Sequence, residues 1–148
     1  MGLTIDSSIY IDSIVPKSEE RHIRAKEIIK LASESGIDVF EPRIFIVELV
    51  GVLSRFKPKD EVKDVLNIVK FVNILSEDEI FETAINIAFD THCRAVDAYF
   101  IATAKLTNSV LITNDRIMAT NAKRYGVEAY YLIEEFNDAK ERLRKLRS

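Results

Sequence analysis

Residues 94–115 read RAVDAYFIATAKLTNSVLITND, and this stretch decides the fold class. Ala95 to Leu106 is apolar on most of its surface and predicts a buried helix. Ser109 to Thr113 predicts a short buried strand, and Asp115 opens a further helix that Gly126 stops near Tyr125. Helix, strand, helix in direct succession is the rhythm of an α/β chain. Working outward, Val127 to Leu132 reads as a last strand and Glu134 to Leu146 as a charged terminal helix. Towards the amino end, Ser76-Glu77-Asp78-Glu79 is a capping box that starts a helix with Ile80, Ala84, Ile87 and Ala88 on one face. Lys59 to Phe71 predicts an amphipathic helix with Val62, Val65, Leu66 and Val69 inward. Arg43 to Phe56 predicts one that is apolar nearly all round, with Pro42 at its first position. Asp38 to Phe40 and Leu3 to Asp6 read as strands, and a helix from Ser18 to the stop at Gly36 lies between them. Strands separated by helices imply a parallel sheet covered on both faces.

With 148 residues and no Gly/Pro/Ser-rich linker, the chain is expected to form one domain over 1–148. Its 47% hydrophobic and 30% charged residues exclude disorder. Cys93 alone excludes an internal disulfide, and with only His22 and His92 beside it no four-ligand zinc site can form. No basic leader and no long apolar run is present, so no membrane association is expected and a cytoplasmic location is. A net charge of −3 gives no global attraction to nucleic acid, so any polyanion must be met locally. The absence of Gln and Trp beside abundant Ile, Glu and Lys follows a thermophile tendency. No phosphate-binding G-x-x-x-x-G-K, G-x-S-x-G elbow or G-x-G-x-x-G turn occurs, which removes nucleotide hydrolysis, serine chemistry and dinucleotide binding.

The informative residues are acids in apolar company. Asp6 ends the first strand, Glu48 is the sole ionisable group between Arg43 and Arg55, Asp97 interrupts an apolar helix, and Asp115 follows V-L-I-T. Each has an ordinary structural explanation: Asp115 as a helix N-cap, Asp97 in a favourable helix dipole, Asp6 beside the turn-capping Ser7 or Ser8. Glu48 in mid-helix is the hardest to explain this way. As a set they have no obvious cationic partner nearby in sequence, and buried unpaired carboxylates cost several kcal/mol. In an open α/β sheet, ligands gather beyond the carboxyl ends of the strands, where Asp6 and Asp115 both fall. Four converging carboxylates call for a hard divalent ion, Mg²⁺ or Mn²⁺, and so for phosphoryl-transfer chemistry.

The order Leu3-Thr4-Ile5-Asp6-Ser7-Ser8, Val47-Glu48-Leu49, Arg94 to Ala104, then Val110-Leu111-Ile112-Thr113-Asn114-Asp115 resembles a PIN domain, most closely the VapC-type toxins of VapBC toxin-antitoxin pairs. That resemblance implies a three-layer α/β/α fold with a central parallel sheet, and a metal-dependent endoribonuclease leaving 5′-phosphate and 3′-hydroxyl ends. Residue by residue, it implies Asp6, Glu48, Asp97 and Asp115 as catalytic and metal-binding acids, with Ser7, Thr113 and Asn114 as supporting polar groups. Where some relatives carry a further acid, this chain has Ile117 and Met118. It also implies an RNA substrate, an antitoxin partner that masks the acidic pocket, and a homodimer. Arg116, Lys123 and Arg124 are candidate contacts to RNA phosphates. The basic end, with Lys140, Arg142, Arg144, Lys145 and Arg147, reads first as cations complementing a helix terminus. The alternative function is a catalytically silent PIN-like module that binds an antitoxin-like peptide.

Overall fold

The structure, a computed structural model, describes residues 1–146; Arg147 of the basic end lies outside them. In chain order the elements are β1 (Gly2–Ile5), α1 (Ser7–Ile14), α2 (Glu19–Glu34), β2 (Phe40–Pro42), α3 (Ile44–Leu53) and α4 (Lys59–Val65). A 3-10 turn (Leu66–Phe71) then leads to β3 (Asn73–Leu75), α5 (Glu77–Thr91), α6 (Ala95–Leu106), β4 (Ser109–Thr113), α7 (Arg116–Arg124), β5 (Ala129–Tyr131) and α8 (Leu132–Lys145).

The strands are parallel throughout. β4 lies between β1 and β5, with Ile5 opposite Ile112 and Thr113 opposite Tyr131. β2 pairs with β3, and a single bridge, Leu3 to Val39, lays that pair against β1. The strand order is therefore β3-β2-β1-β4-β5, which reverses direction between β1 and β4. Helices α5, α6 and α7 pack together, as do α1, α2, α3 and α8, the two groups covering the parallel sheet. β1 and β4 are buried along their whole length, as central strands of a covered parallel sheet must be. The PIN-like three-layer α/β/α architecture expected from the sequence is what forms.

Several boundaries follow their local chemistry. Ser76 and Glu79 form the reciprocal capping box at the start of α5, and Gly36 and Gly126 stop α2 and α7 at φ of 64° and 87°, where a side chain would be strained. Three expectations need correction. Pro42 does not begin a helix: it closes β2 opposite Leu75, and Arg43 N–H donates to the Leu75 carbonyl instead. The helix from Lys59 ends at Val65, because Asn67, Ile68 and Val69 are weak helix formers and the chain tightens into a 3-10 turn. The final strand is only Ala129–Tyr131, and α8 starts two residues before Glu134, kinked at Glu135. The outward face of α5 leaves Phe81, Ile85 and Phe89 uncovered in a row.

Candidate active site

At the switch between β1 and β4, three helices present their amino ends. Asp6 holds the N-cap position of α1, Asp97 sits in the first turn of α6, and Asp115 caps α7. Helix amino ends carry partial positive charge, so each acid stands where a negative group is favoured. Asp6 N–H donates to the Ile112 carbonyl at 2.9 Å, which fixes the carboxylate beside Thr113.

The Asp6 side chain is almost fully buried, and its Oδ2 accepts from Ser8 Oγ at 2.7 Å and from Thr113 Oγ1 at 2.8 Å. Burial pushes its pKa up to about 6; the two hydroxyls pull it down, and the charges of Glu48 and Asp115 push it up further. Asp97, 3% exposed, is also raised, first by burial, then by Asp115 and Glu48, with Arg94 opposing. The charges of Glu48 and Asp115, drawn from distant points in the chain, thus each reach both Asp6 and Asp97. Glu48, half-buried on α3, acts on both Asp6 and Asp97.

Asp115 does two things with one carboxylate. Its Oδ1 accepts from Ile117 N–H at 2.9 Å and Met118 N–H at 3.2 Å, which makes it the helix cap. Its Oδ2 faces Arg94, whose Nη2 lies 3.6 Å from it and 3.7 Å from Asp97 Oδ1. Sequence reasoning missed Arg94, although it stands only three residues before Asp97 and spans the first turn of α6.

The supporting groups form a continuous hydrogen-bonded layer. Thr113 Oγ1 donates to Asp6 and accepts from Asp115 N–H at 2.9 Å, and Asn114 N–H donates to Ser8 Oγ at 3.1 Å. The hydroxyl on Asp6 is thus that of Ser8; Ser7 Oγ is buried with no hydrogen-bond partner among the described residues. Asn114 Nδ2 donates to Asp12 Oδ2 at 2.6 Å, and Arg21 reaches the same oxygen from Nη2 at 2.9 Å. Asp12 and Glu41 are two further buried acids that sequence reasoning passed over. Glu41 lies behind β1, accepting from Tyr10 O–H at 2.8 Å and Ile5 N–H at 3.2 Å, and burial raises its pKa well above the usual carboxylate range.

Thr113→Val keeps the shape but removes the bonds of Thr113 Oγ1 to Asp6 Oδ2 and Asp115 N–H. If Asp6 serves as a metal ligand, this should lower the metal-dependent activity of the site by about 10–100-fold, the typical effect of losing a partner behind such a ligand. Steady-state cleavage kinetics check this, and an unchanged kcat would show that the hydroxyl does not set the Asp6 orientation.

The three expected phosphate contacts are placed unequally. Arg116 begins α7, pairs with Glu134 and stacks over the Tyr131 ring at 4.9 Å. Lys123 pairs with Glu135 at 2.8 Å, and it and Arg124 stand at the far end of α7, about 10 Å further along the axis. Arg94 is the cation that pairs with two of the acids, Asp97 and Asp115.

As a donor set these residues fit Mg²⁺ or Mn²⁺ in kind: every available atom is a hard carboxylate or hydroxyl oxygen, and mutual repulsion rewards a cation. As the side chains stand, no three His, Cys, Asp or Glu among the described residues are close enough to grip one ion.

The model of the PIN domain matches residues 3–124. Among solved structures, FitAB bound to an IR36 DNA fragment superposes with a TM-score of 0.66 at 20% identity, covering 86% of this chain and 93% of that one. PAE2754 from Pyrobaculum aerophilum gives 0.60 at 15% identity over 98% of both chains. FitAcB from Neisseria gonorrhoeae gives 0.57 at 20% identity, over 86% and 96% respectively. At these identities the likeness is one of fold. No curated protein matches.

Proposed function

The chain belongs to the PIN-domain family, whose members are generally nucleases that use divalent metals, and from that premise we propose a Mg²⁺- or Mn²⁺-dependent endoribonuclease of the toxin type. One observation carries the reading: Asp6 and Asp115 stand just past the carboxyl ends of β1 and β4, and the charges of Glu48 and Asp115 both bear on Asp6 and on Asp97. In this reading Asp6, Asp97, Asp115 and Glu48 hold the ion. When bound, it supplies Lewis-acid stabilisation of phosphoryl charge and a water acidic enough to attack.

The residues of the chain do the positioning. Ser8 and Thr113 occupy Oδ2 of Asp6 and leave Oδ1 without a hydrogen bond among the described residues. Asp115 is held by two backbone N–H groups through its other oxygen. The preformed layer removes rotamer freedom before substrate arrives. Water adds to phosphorus, the bond to the 3′ oxygen breaks, and that oxygen takes the proton, leaving 5′-phosphate and 3′-hydroxyl ends. FitAB is a fold neighbour seen with a DNA fragment. On that likeness, the partner that silences this site is a separate small chain able to bind DNA.

The test is cleavage of a mixed RNA pool with Mn²⁺ and with EDTA, the Asp97→Asn variant serving as control for contaminating nuclease. Cleavage by wild type in Mn²⁺ alone supports the reading; equal activity in EDTA or in the variant refutes it. Thermal unfolding gives a second measurement. At about 100 times its dissociation constant, an ion bound only by the folded state adds about 2.7 kcal/mol of stability. A melting point indifferent to millimolar Mg²⁺ and Mn²⁺ argues against the site.

A further inference from the structure

Arg94 offsets part of the charge of the acidic cluster without locking it. Its side chain is 80% exposed, yet Nη2 stands 3.7 Å from Asp97 Oδ1 and 3.6 Å from Asp115 Oδ2, whose side chains are 4% and 28% exposed. Neither distance is a hydrogen bond, so no directional clamp holds the guanidinium. It rests by charge alone at the rim of an open cavity of about 530 Å³ that Asp97, Ile117 and Asn121 also line. Pairs whose cation is this exposed, at distances too long for a hydrogen bond, are individually weak. A weakly held cation on two site acids is one that another cation can displace.

We propose that Arg94 is the resident counter-cation of the acidic cluster, which a divalent ion must displace in order to bind. The inference rests on the metal-dependent reading above. Its physical content is competition: the oxygens that face Arg94 belong to Asp97 and Asp115, two of the acids that would face the metal. A guanidinium within 4 Å of those oxygens and a divalent ion held by them would repel one another. In the metal-free protein Arg94 offsets the repulsion between two carboxylates, which keeps the cluster assembled. In the loaded protein it swings outward, unhindered because its side chain already lies in solvent. Arg94 is thus a positioning residue that sets the threshold for loading the ion.

The experiment is calorimetric titration of Mn²⁺ into wild type, Arg94→Gln, Arg94→Lys and Arg124→Gln, in the absence of RNA. Arg94 provides no side-chain cap to α6 and is largely exposed, so these variants fold. Arg94→Gln is expected to bind Mn²⁺ about 3–10-fold more tightly, since two weak pairs no longer compete. Arg94→Lys should keep near wild-type affinity by retaining the charge, and Arg124→Gln should not differ from wild type. Raising the salt concentration should narrow the gap between wild type and Arg94→Gln, a response that a purely structural role would not produce. If wild type binds Mn²⁺ and Arg94→Gln binds it equally or more weakly, the competition is overturned while the metal-dependent reading stands. If neither protein binds Mn²⁺, both fall.

Discussion

Asp6→Asn and Asp97→Asn are each expected to reduce RNA cleavage by more than about 100-fold, because outer-layer partners of a metal site alone are worth about 10–100-fold and the proposed function puts these residues closer to the chemistry. The substitutions are close to isosteric. In Asp6→Asn the new amide oxygen can still accept from Ser8 and Thr113, so the layer around it survives while the charge is lost. Both carboxyl groups are already held above the ordinary aspartate range by burial. A neutral amide is therefore easier to bury than the ion it replaces, and Asp97→Asn should melt no lower than wild type in the absence of metal. Loss of activity with stability kept or raised separates a role in chemistry from a role in folding. Single-turnover cleavage beside circular-dichroism melting measures both. Wild-type rates in both variants would end the assignment of these acids to catalysis.

The acids that stand out in the sequence do so because each interrupts an apolar run. Asp97 breaks A-V-x-A-Y-F-I-A, and Asp115 follows a strand buried at every residue. The residues that escaped notice lack this contrast. Asp12 belongs to α1, a helix buried on most sides, whose S-S-I-Y-I-D-S-I has no single apolar stripe to mark it as helical. Glu41 sits in the three-residue strand F-E-P, too short for a period of two to be legible, and its partners Tyr10 and Ile5 are more than thirty residues away. Arg94 was visible as a letter, but its reach to Asp115 across 21 positions depends on α6 and α7 lying side by side, which is a fact of topology. The alternation of helix and strand, and with it the parallel sheet, was legible because it rests on local signals: a capping box, two glycine stops and one apolar strand. β3 was not legible, since Asn73–Leu75 forms a strand only because β2 lies beside it.

Asp12→Ala should be the most damaging change for stability outside the hydrophobic core, lowering it by about 3 kcal/mol. Oδ2 of this 4% exposed carboxylate takes Arg21 Nε at 3.1 Å, Arg21 Nη2 at 2.9 Å and Asn114 Nδ2 at 2.6 Å. Removing it strands a buried amide whose Oδ1 already lacks a partner among the described residues, and leaves Arg21 without its counter-charge. Arg21 is 40% exposed and can turn to water, so the loss belongs near the lower end of the range for broken buried pairs. For a domain of this size the melting point should fall by about 6–12 °C. The effect reaches the site because Asp12 joins α1, the helix that Asp6 starts, to Asn114 in the turn between Thr113 and Asp115. Slackening that turn frees the acid at the head of α7, so activity should fall as well, even below the melting transition. A double-mutant cycle with Arg21→Ala apportions the loss: strong non-additivity is expected, since both variants break the same pair. A melting point lowered by less than about 2 °C would show that Asp12 is tolerated in its pocket rather than required there.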